Sequence, residues 1–429
     1  MSEKIIRDPV HDVIAFRLDR ASDRLLFKLL GAIETQRLRR VRQLGMAHLA
    51  YPGADHSRYS HSLGVMQTAR RMLEHLARGC YIPAERELDC CAAALLHDVG
   101  HGPLSHVFER VTGIHHEEFT RRIILGPDTE VHQFLSSHDS GLPQRVVALL
   151  APAPPRTYLS DVLSSQLDAD RLDYLLRDNL MTGSKYGDYD LTWLLHALTI
   201  DEATGRLVIT LKGISAVEAY LQSRFHMYRN VYFHKVVRSA EGMLRLTLQR
   251  ARDLAASGSL PWPAQGGALR QALAGEALSV AGFIELDDVS LTYALKVWSE
   301  SDDAVLSELS RGLLFRRLFK TIDLSGLEDP AEARHILEAV TRAVSSDGGQ
   351  SQWEVFFDEP SETRWQSAGS ADDDEILVRQ TDGRLCHLAS MSPMIAAMDR
   401  ELMFRRICVS PRFVDVARQT VERYRLRQT

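Results

Sequence analysis

The chain has 429 residues, 45% hydrophobic and 25% charged, enough to bury one large core or two to three smaller ones. No run of about 18 apolar residues occurs, which argues against a helical membrane span, and the charged start MSEKIIRDPVHD has no apolar stretch of the kind a secretion signal needs. A net charge of −6 excludes a general polyanion binder, so a nucleotide or nucleic-acid partner would need a local basic site.

Most of the first 340 residues read as helical. Over 62–78, Leu63, Met66, Met72, Leu73 and Leu76 recur at spacings near 3.6. The segment 86–96 carries an apolar run from Cys90 to Leu96, the mark of a buried helix, ended by His97-Asp98 and then Gly100, Gly102 and Pro103. APAPP (151–155) reads as a rigid loop and 161–180 as one amphipathic helix. One or two long helices are expected over 215–251, and again over 287–320. After helical RHILEAVTRAV (334–344) and the glycine-rich SSDGG come the strand-like runs WEVFF, EILVR, RLCHLA and RRICVS. A helix near 412–426 ends the chain, and QSAGSADDDE (366–375) reads as a polar, mobile loop. The expected fold class is therefore mainly α: a helical core over 1–330 with a small C-terminal α/β subdomain over 331–429, and no internal repeat. Cys80, Cys90, Cys91, Cys386 and Cys408 form no CxxC pair, which points to reduced thiols and a cytoplasmic setting.

About half of the 17 histidines fall within residues 56–117. Adjacent helical residues diverge by roughly 100°, but His97 and Asp98 can reach one metal if the helix ends on it and the following glycines turn the backbone. Imidazole and carboxylate are ligands for Mn, Fe, Zn or Mg, not for a thiolate-selecting metal. A lone His-Asp pair at a helix end is common and usually inert. His56 alone reads as a loop histidine, His75 and His196 as structural ones, and Asp173 as a solvated charge. The joint pattern of a histidine, the His-Asp pair and a later aspartate is much less ordinary.

RYSHSLG (58–64), LLHDVGHGPLSH (95–106), HE (116–117) and LDADRLDYLLRD (167–178) together resemble the HD-domain deoxynucleotide triphosphohydrolases. The resemblance extends to IRDPVHD (6–12), QRLRRVRQLG (36–45), RFHMYRNVYFHK (224–235) and RRLFK (316–320), covering roughly residues 5–320. It includes the SAM-and-HD-domain enzymes, although no room for a preceding SAM module is expected here. It implies His61, His97, Asp98 and Asp170 as ligands of a divalent metal ion. It implies His101, His106 and His116 along the phosphates, with His116 and nearby Glu117 in proton transfer. Arg58, Arg171, Tyr174 and Asp178 would hold triphosphate and sugar, Gln43 and Leu44 the sugar edge, and Arg224 and Tyr232 later substrate contacts. Gln36 and Arg39 match the activator-nucleotide pattern of regulated members, whereas Gly31 and Arg7 depart from it, leaving open an unregulated protein or one answering to another nucleotide.

The chemistry is coherent without the resemblance. A triphosphate brings about four negative charges, which Arg58, Arg171, a metal and partly protonated histidines can neutralise. Attack at the α-phosphorus needs a positioned water and an acid for the leaving O5′, and histidine suits that role. Asp170, Tyr174 and Arg177 or Asp178 share one helical face. The leading expectation is hydrolysis of a dNTP to deoxynucleoside and tripolyphosphate by a homo-oligomer, dimer or tetramer. The alternatives are an HD phosphohydrolase acting on another nucleotide or nucleic-acid phosphoester, and a nucleotide-binding regulator without turnover.

Overall fold

The computed structural model describes residues 3–104, 106–151, 156–263, 267–327, 329–362, 375–398 and 402–426. The fold is mainly α, with a few small sheets. The first described element is a strand. Strands Glu3–Asp8 and Asp12–Arg17 form an antiparallel hairpin in which Ile14 and Phe16 are fully buried. Burying two such side chains contributes about 1.5–3 kcal/mol each. The turn is fixed by Asp8, whose Oδ1 accepts from the backbone N–H groups of Val10 (2.9 Å) and His11 (3.0 Å), and by Asp12 at φ +57°.

Helix Arg58–Leu76 is the central element, packed between Ala84–Leu96 and Ala169–Thr182. Its approach to the last of these depends on Gly64. A Cβ there would lie 2.0 Å from Asp173 Oδ1 and 2.3 Å from Arg177 Nη2. We expect Gly64→Ala to lower unfolding free energy by about 2–3 kcal/mol through overpacking. Urea titration checks this, with the midpoint falling at unchanged slope. A shift within about 0.5 kcal/mol would mean that the two helices can separate freely.

The single helix expected over 161–180 is two. Tyr158–Leu163 ends at Ser164, and Ala169–Thr182 starts at Asp168, whose Oδ1 accepts from Arg171 N at 2.7 Å. The Ser164-Ser165 pair and a strong N-cap outweigh the apolar periodicity, because short polar side chains compete for backbone groups. The 215–251 stretch resolves into helices Ile214–Met227 and Lys235–Ala256, joined by a π turn at Tyr228–Tyr232. The 287–320 stretch gives Asp288–Trp298 and Ala304–Leu314.

Helix and strands alternate in the tail. Strand Arg406–Val409 lies between Lys320–Asp323 and Val355–Asp358, antiparallel to both. Helices Pro330–Ser346 and Val414–Arg425 enclose a core with it that includes Ile336, Val340, Ile407 and Val421. Strands Leu377–Arg379 and Leu385–His387 instead extend the sheet begun by Leu198–Ile200 and Leu207–Thr210. The tail thus reaches back onto the helical region, and one strand of its own sheet precedes residue 331. Apart from Ala151 and Glu375, the loops expected at 151–155 and 366–375 lie outside the described residues. All five cysteines are free, and no helix among the described residues is long and apolar enough to cross a membrane.

Candidate metal centre and catalytic cleft

Three helix ends meet at one point. His61 lies in the first turn of Arg58–Leu76, His97 caps the end of Ala84–Leu96, and Asp170 lies in the first turn of Ala169–Thr182. His61 Nε2 is 2.9 Å from Asp170 Oδ1, and His97 Nε2 is 3.7 Å from the same oxygen. Asp98 stands at the edge of this cluster, its Oδ1 3.4 Å from His97 Nε2 and its Oδ2 3.9 Å from His61 Nε2. Both Asp98 oxygens have other partners: Arg58 Nη1 on Oδ2, and His101 Nε2 on Oδ1 at 3.2 Å.

The turn after His97-Asp98 is held on several sides. A Cβ on Gly100 would lie 2.2 Å from the His116 carbonyl oxygen, so only glycine fits. Thr120 Oγ1 accepts from Gly100 N at 3.1 Å and donates to His97 O at 3.2 Å. Arg37, fully buried, donates to the carbonyls of Leu286 (2.7 Å), Val99 (3.0 Å) and His101 (2.6 Å). Leu104, at φ +48°, donates its N–H to Asp288 Oδ1 at 2.8 Å.

The donor set suits a divalent cation. His61 Nδ1 donates to Asp173 Oδ2 at 2.9 Å and His97 Nδ1 to Ala94 O at 2.8 Å, so both rings turn Nε2 toward Asp170. His97 Nε2 is buried without a hydrogen bond. A fixed Nδ1–H and an outward Nε2 lone pair are how metal-binding imidazoles are oriented. Nitrogen and carboxylate donors fit Mn, Fe, Zn or Mg. Burial lowers the pKa of His61, but the carboxylates of Asp170 and Asp173 more than reverse this and push it up to about 10. Burial raises the Asp98 carboxyl, yet Arg58 and the neighbouring histidines hold it well below its ordinary range. His101 is driven well down, first by burial and then by Arg58.

One cavity of about 1000 Å³ opens on this centre. Its walls include Gln43, Leu44, Arg58, His101, His106, His116, Glu117, Tyr174, Asp178 and Tyr232 together with all four expected ligands. The carbonyl oxygen of the Gln43 side chain is buried there with no partner. His101 stacks on His116 with centroids 4.0 Å apart. Arg171 and Arg224 are not among the lining residues. Arg171 pairs with Asp168 and donates to Ser165 O (2.6 Å); Arg224 reaches Gln166 Oε1 (2.7 Å) and Glu362 Oε1 (2.8 Å).

Several expectations need correction. Glu117 is exposed and does not hold His116; Glu109 does, its Oε2 3.0 Å from His116 Nδ1 and its Oε1 3.0 Å from His115 Nδ1. His56 lies in a loop, as expected, but is buried with Nε2 2.7 Å from Asp178 Oδ1, while Tyr232 Oη donates to Asp178 Oδ2 at 2.9 Å. Asp173 is not solvated. It is fully buried between His61, His11 Nε2 (2.8 Å) and Arg177 Nε (2.8 Å), and Arg177 continues to Asp8 at 2.9 Å. Burial alone would raise the Asp173 carboxyl; Arg177 and the two histidines hold it well below the carboxylate range. The i,i+4 spacing of Asp173 and Arg177 was the available sequence signal for that pair.

The HD-domain family model matches residues 58–150, and the HD-associated-region model matches 189–258. The uncharacterized protein YwfO of Bacillus subtilis is 42% identical over 329 residues, 76% of this chain and 73% of that protein. This chain belongs to the HD-domain family. The crystal structure of a phosphohydrolase from Bacteroides thetaiotaomicron superposes on this HD-domain protein with a TM-score of 0.81 and 30% identity, covering 95% of this chain and all of that one. The bovine deoxynucleoside triphosphate triphosphohydrolase SAMHD1 is 39% identical over 109 residues, 25% of this chain and 18% of that enzyme. The HD-domain protein therefore has the HD phosphohydrolase fold and a His/Asp cluster suited to a divalent ion.

Proposed function

We propose that this HD-domain protein hydrolyses deoxynucleoside triphosphates to deoxynucleoside and tripolyphosphate. The observation that carries the reading is the shared cavity. His61, His97, Asp98 and Asp170 open onto the same space as His101, His106 and His116, beside Gln43 and Leu44. Its volume of about 1000 Å³ accommodates a nucleotide. The partial likeness to SAMHD1 supports the same substrate class.

His61, His97 and Asp170 would hold the divalent ion, with Asp98 joining as Arg58 turns to phosphate. When bound, the ion supplies Lewis-acid stabilisation of phosphoryl charge and a more acidic water. Arg58 and the neutral His101 face the phosphates. Glu109 engages His116 Nδ1, which leaves Nε2 to pass a proton to the leaving O5′ as water oxygen bonds to the α-phosphorus and the P–O5′ bond breaks. The unpartnered Gln43 acceptor suits a sugar hydroxyl, and Leu44 beside it would disfavour a second one. Tyr174, Asp178 and Tyr232 border the sugar. Val289 and Tyr293, one turn apart and exposed on helix Asp288–Trp298, offer apolar surface for a homo-oligomer.

A second reading, hydrolysis of another phosphoester, draws on Arg171 and Arg224, which face acidic and amide partners outside the cavity lining. One assay separates the two. Protein loaded in turn with Mn²⁺, Mg²⁺, Fe²⁺ and Zn²⁺ is given the four dNTPs and four NTPs, and the inorganic product is identified. Tripolyphosphate from dNTPs, with NTPs much slower, is the expected result. Release of orthophosphate or pyrophosphate, or turnover confined to ribonucleotides, would overturn it in favour of the second reading.

A further inference from the structure

We infer that Asp288, which does not line the cleft, is a positioning residue for it. Its carboxylate ties the loop that carries Gln43 and Leu44 to the turn that carries His101 and Leu104, and so sets how sharply the cleft discriminates between sugars. The role rests on the cleft being the nucleotide site proposed above.

Asp287 and Asp288 stand side by side at the start of helix Asp288–Trp298. Asp287 is the cap: its Oδ1 accepts from Ser290 N at 2.9 Å, and Ser290 Oγ accepts from Asp287 N at 3.0 Å. Asp288 is left free to turn inward. Its Oδ1 accepts from Leu104 N at 2.8 Å and its Oδ2 from Arg42 N at 2.9 Å. Backbone groups of an extended segment point alternately to its two edges. Arg58 N donates to Val41 O at 2.9 Å and Gln43 N to His56 O at 3.0 Å, so Arg42 N faces the other edge, onto Asp288. The two tied loops also approach each other directly, since a Cβ on Gly45 would lie 3.9 Å from Leu104 O. Gln43, Leu44, Gly45 and Leu104 all line the cavity.

Helix stability does not call for this arrangement. An acid in the first turn suits the helix dipole while remaining exposed. Asp288 is instead 4% exposed, and burial pushes its carboxyl up, which the two backbone donors only partly offset. Arg42 gives little charge compensation: its Nη1 is 3.9 Å from Asp288 Oδ2, while its Nε turns to Asp55 at 2.8 Å. Leu104 is held at φ +48°, a left-handed conformation unfavourable for leucine. A buried carboxylate and a strained residue fastened to each other persist where the surroundings fix one backbone position. That position sets the distance between Gln43 and the phosphate-facing side of the cleft, where His101 and Arg58 stand. Small displacements of this kind are enough to loosen a binding site.

The test compares metal-loaded full-length wild type, Asp288→Asn and Ser290→Ala on the four dNTPs and four NTPs, with amide exchange followed at Arg42 and Leu104. Asparagine keeps the shape but turns an NH₂ toward one of the two backbone donors, so half of the tie is lost. It should lower kcat/KM for the best substrate by about tenfold, mostly through KM, and narrow the preference between deoxy and ribo sugars. Bound metal should match wild type, and amide exchange should quicken at Arg42 or Leu104. Ser290→Ala weakens the helix start without touching the tie, and its KM and sugar preference should match wild type. Asp288→Ser, which offers one short acceptor, repeats the measurement should the asparagine protein fold poorly by circular dichroism. An active wild type whose KM and sugar preference survive in a folded Asp288 variant would overturn the positioning role. So would an equal loss in Ser290→Ala, which would trace the effect to helix stability. Wild type inert toward all eight nucleotides would sink the reading of the cleft itself, and this role with it.

Discussion

Replacing Asp170 with alanine should lower bound metal by one equivalent and turnover by at least about 10³-fold, because activation of water is what the ion supplies. Asp170 Oδ1 is the atom on which His61 and His97 converge, and its side chain remains 36% exposed. Losing it removes the carboxylate on which both imidazoles converge. Two histidines and an Asp98 already paired to Arg58 make too weak a site. The fold should survive, since Asp170 supports nothing else in the core. Asp173→Ala should behave oppositely. It would strand Arg177, whose side chain is only 1% exposed, along with His11 and His61, and breaking a buried pair costs about 3–5 kcal/mol. Metal analysis and thermal melts on the two proteins separate these effects. An Asp170→Ala protein with full activity would remove Asp170 from the metal centre.

His116→Ala should reduce kcat by about 10²–10⁴-fold with the ion at His61, His97 and Asp170 retained, the usual range for a proton-transfer group. His115→Ala should stay within a few-fold of wild type. Both residues contact Glu109, so the carboxylate does not distinguish them. Exposure and stacking do: the His116 side chain is 26% exposed and lies against His101, whereas that of His115 is 75% exposed. The pH–rate profile should lose one limb in the His116 protein alone. The reverse outcome would move the proton-transfer role one residue back. Wild-type rates from both would shift it to His101 or His106.

The candidate metal cluster is legible in the sequence because its motifs are local. His97-Asp98 with its trailing glycines, and Asp170 at a helix start, carry their geometry in neighbouring residues. The supports of these ligands were hidden because they are distant in the chain. His11 meets Asp173 across 162 positions and His56 meets Asp178 across 122. Glu109 is hard to see in the sequence because Glu117 is adjacent to His116, yet adjacency on a helix does not place two side chains face to face. The break at 164–168 escaped periodicity because polar caps, not apolar spacing, decide where helices end. The resemblance implies Arg171 on the triphosphate and Arg224 as a later substrate contact, and folding supplies each with nearby acceptors outside the cavity lining.

The N-terminal hairpin has a consequence for how the protein can be switched off. Asp8 and His11 join the buried Asp173–Arg177–His61 network from the N-terminal hairpin rather than from the central helices. A protease that removed the first dozen residues would leave the remaining ion pair short of two of its partners. The loss would be felt at His61, a candidate metal ligand fifty residues downstream. Limited digestion at the start of the chain would thus act on the candidate metal centre without touching any residue that lines the cleft.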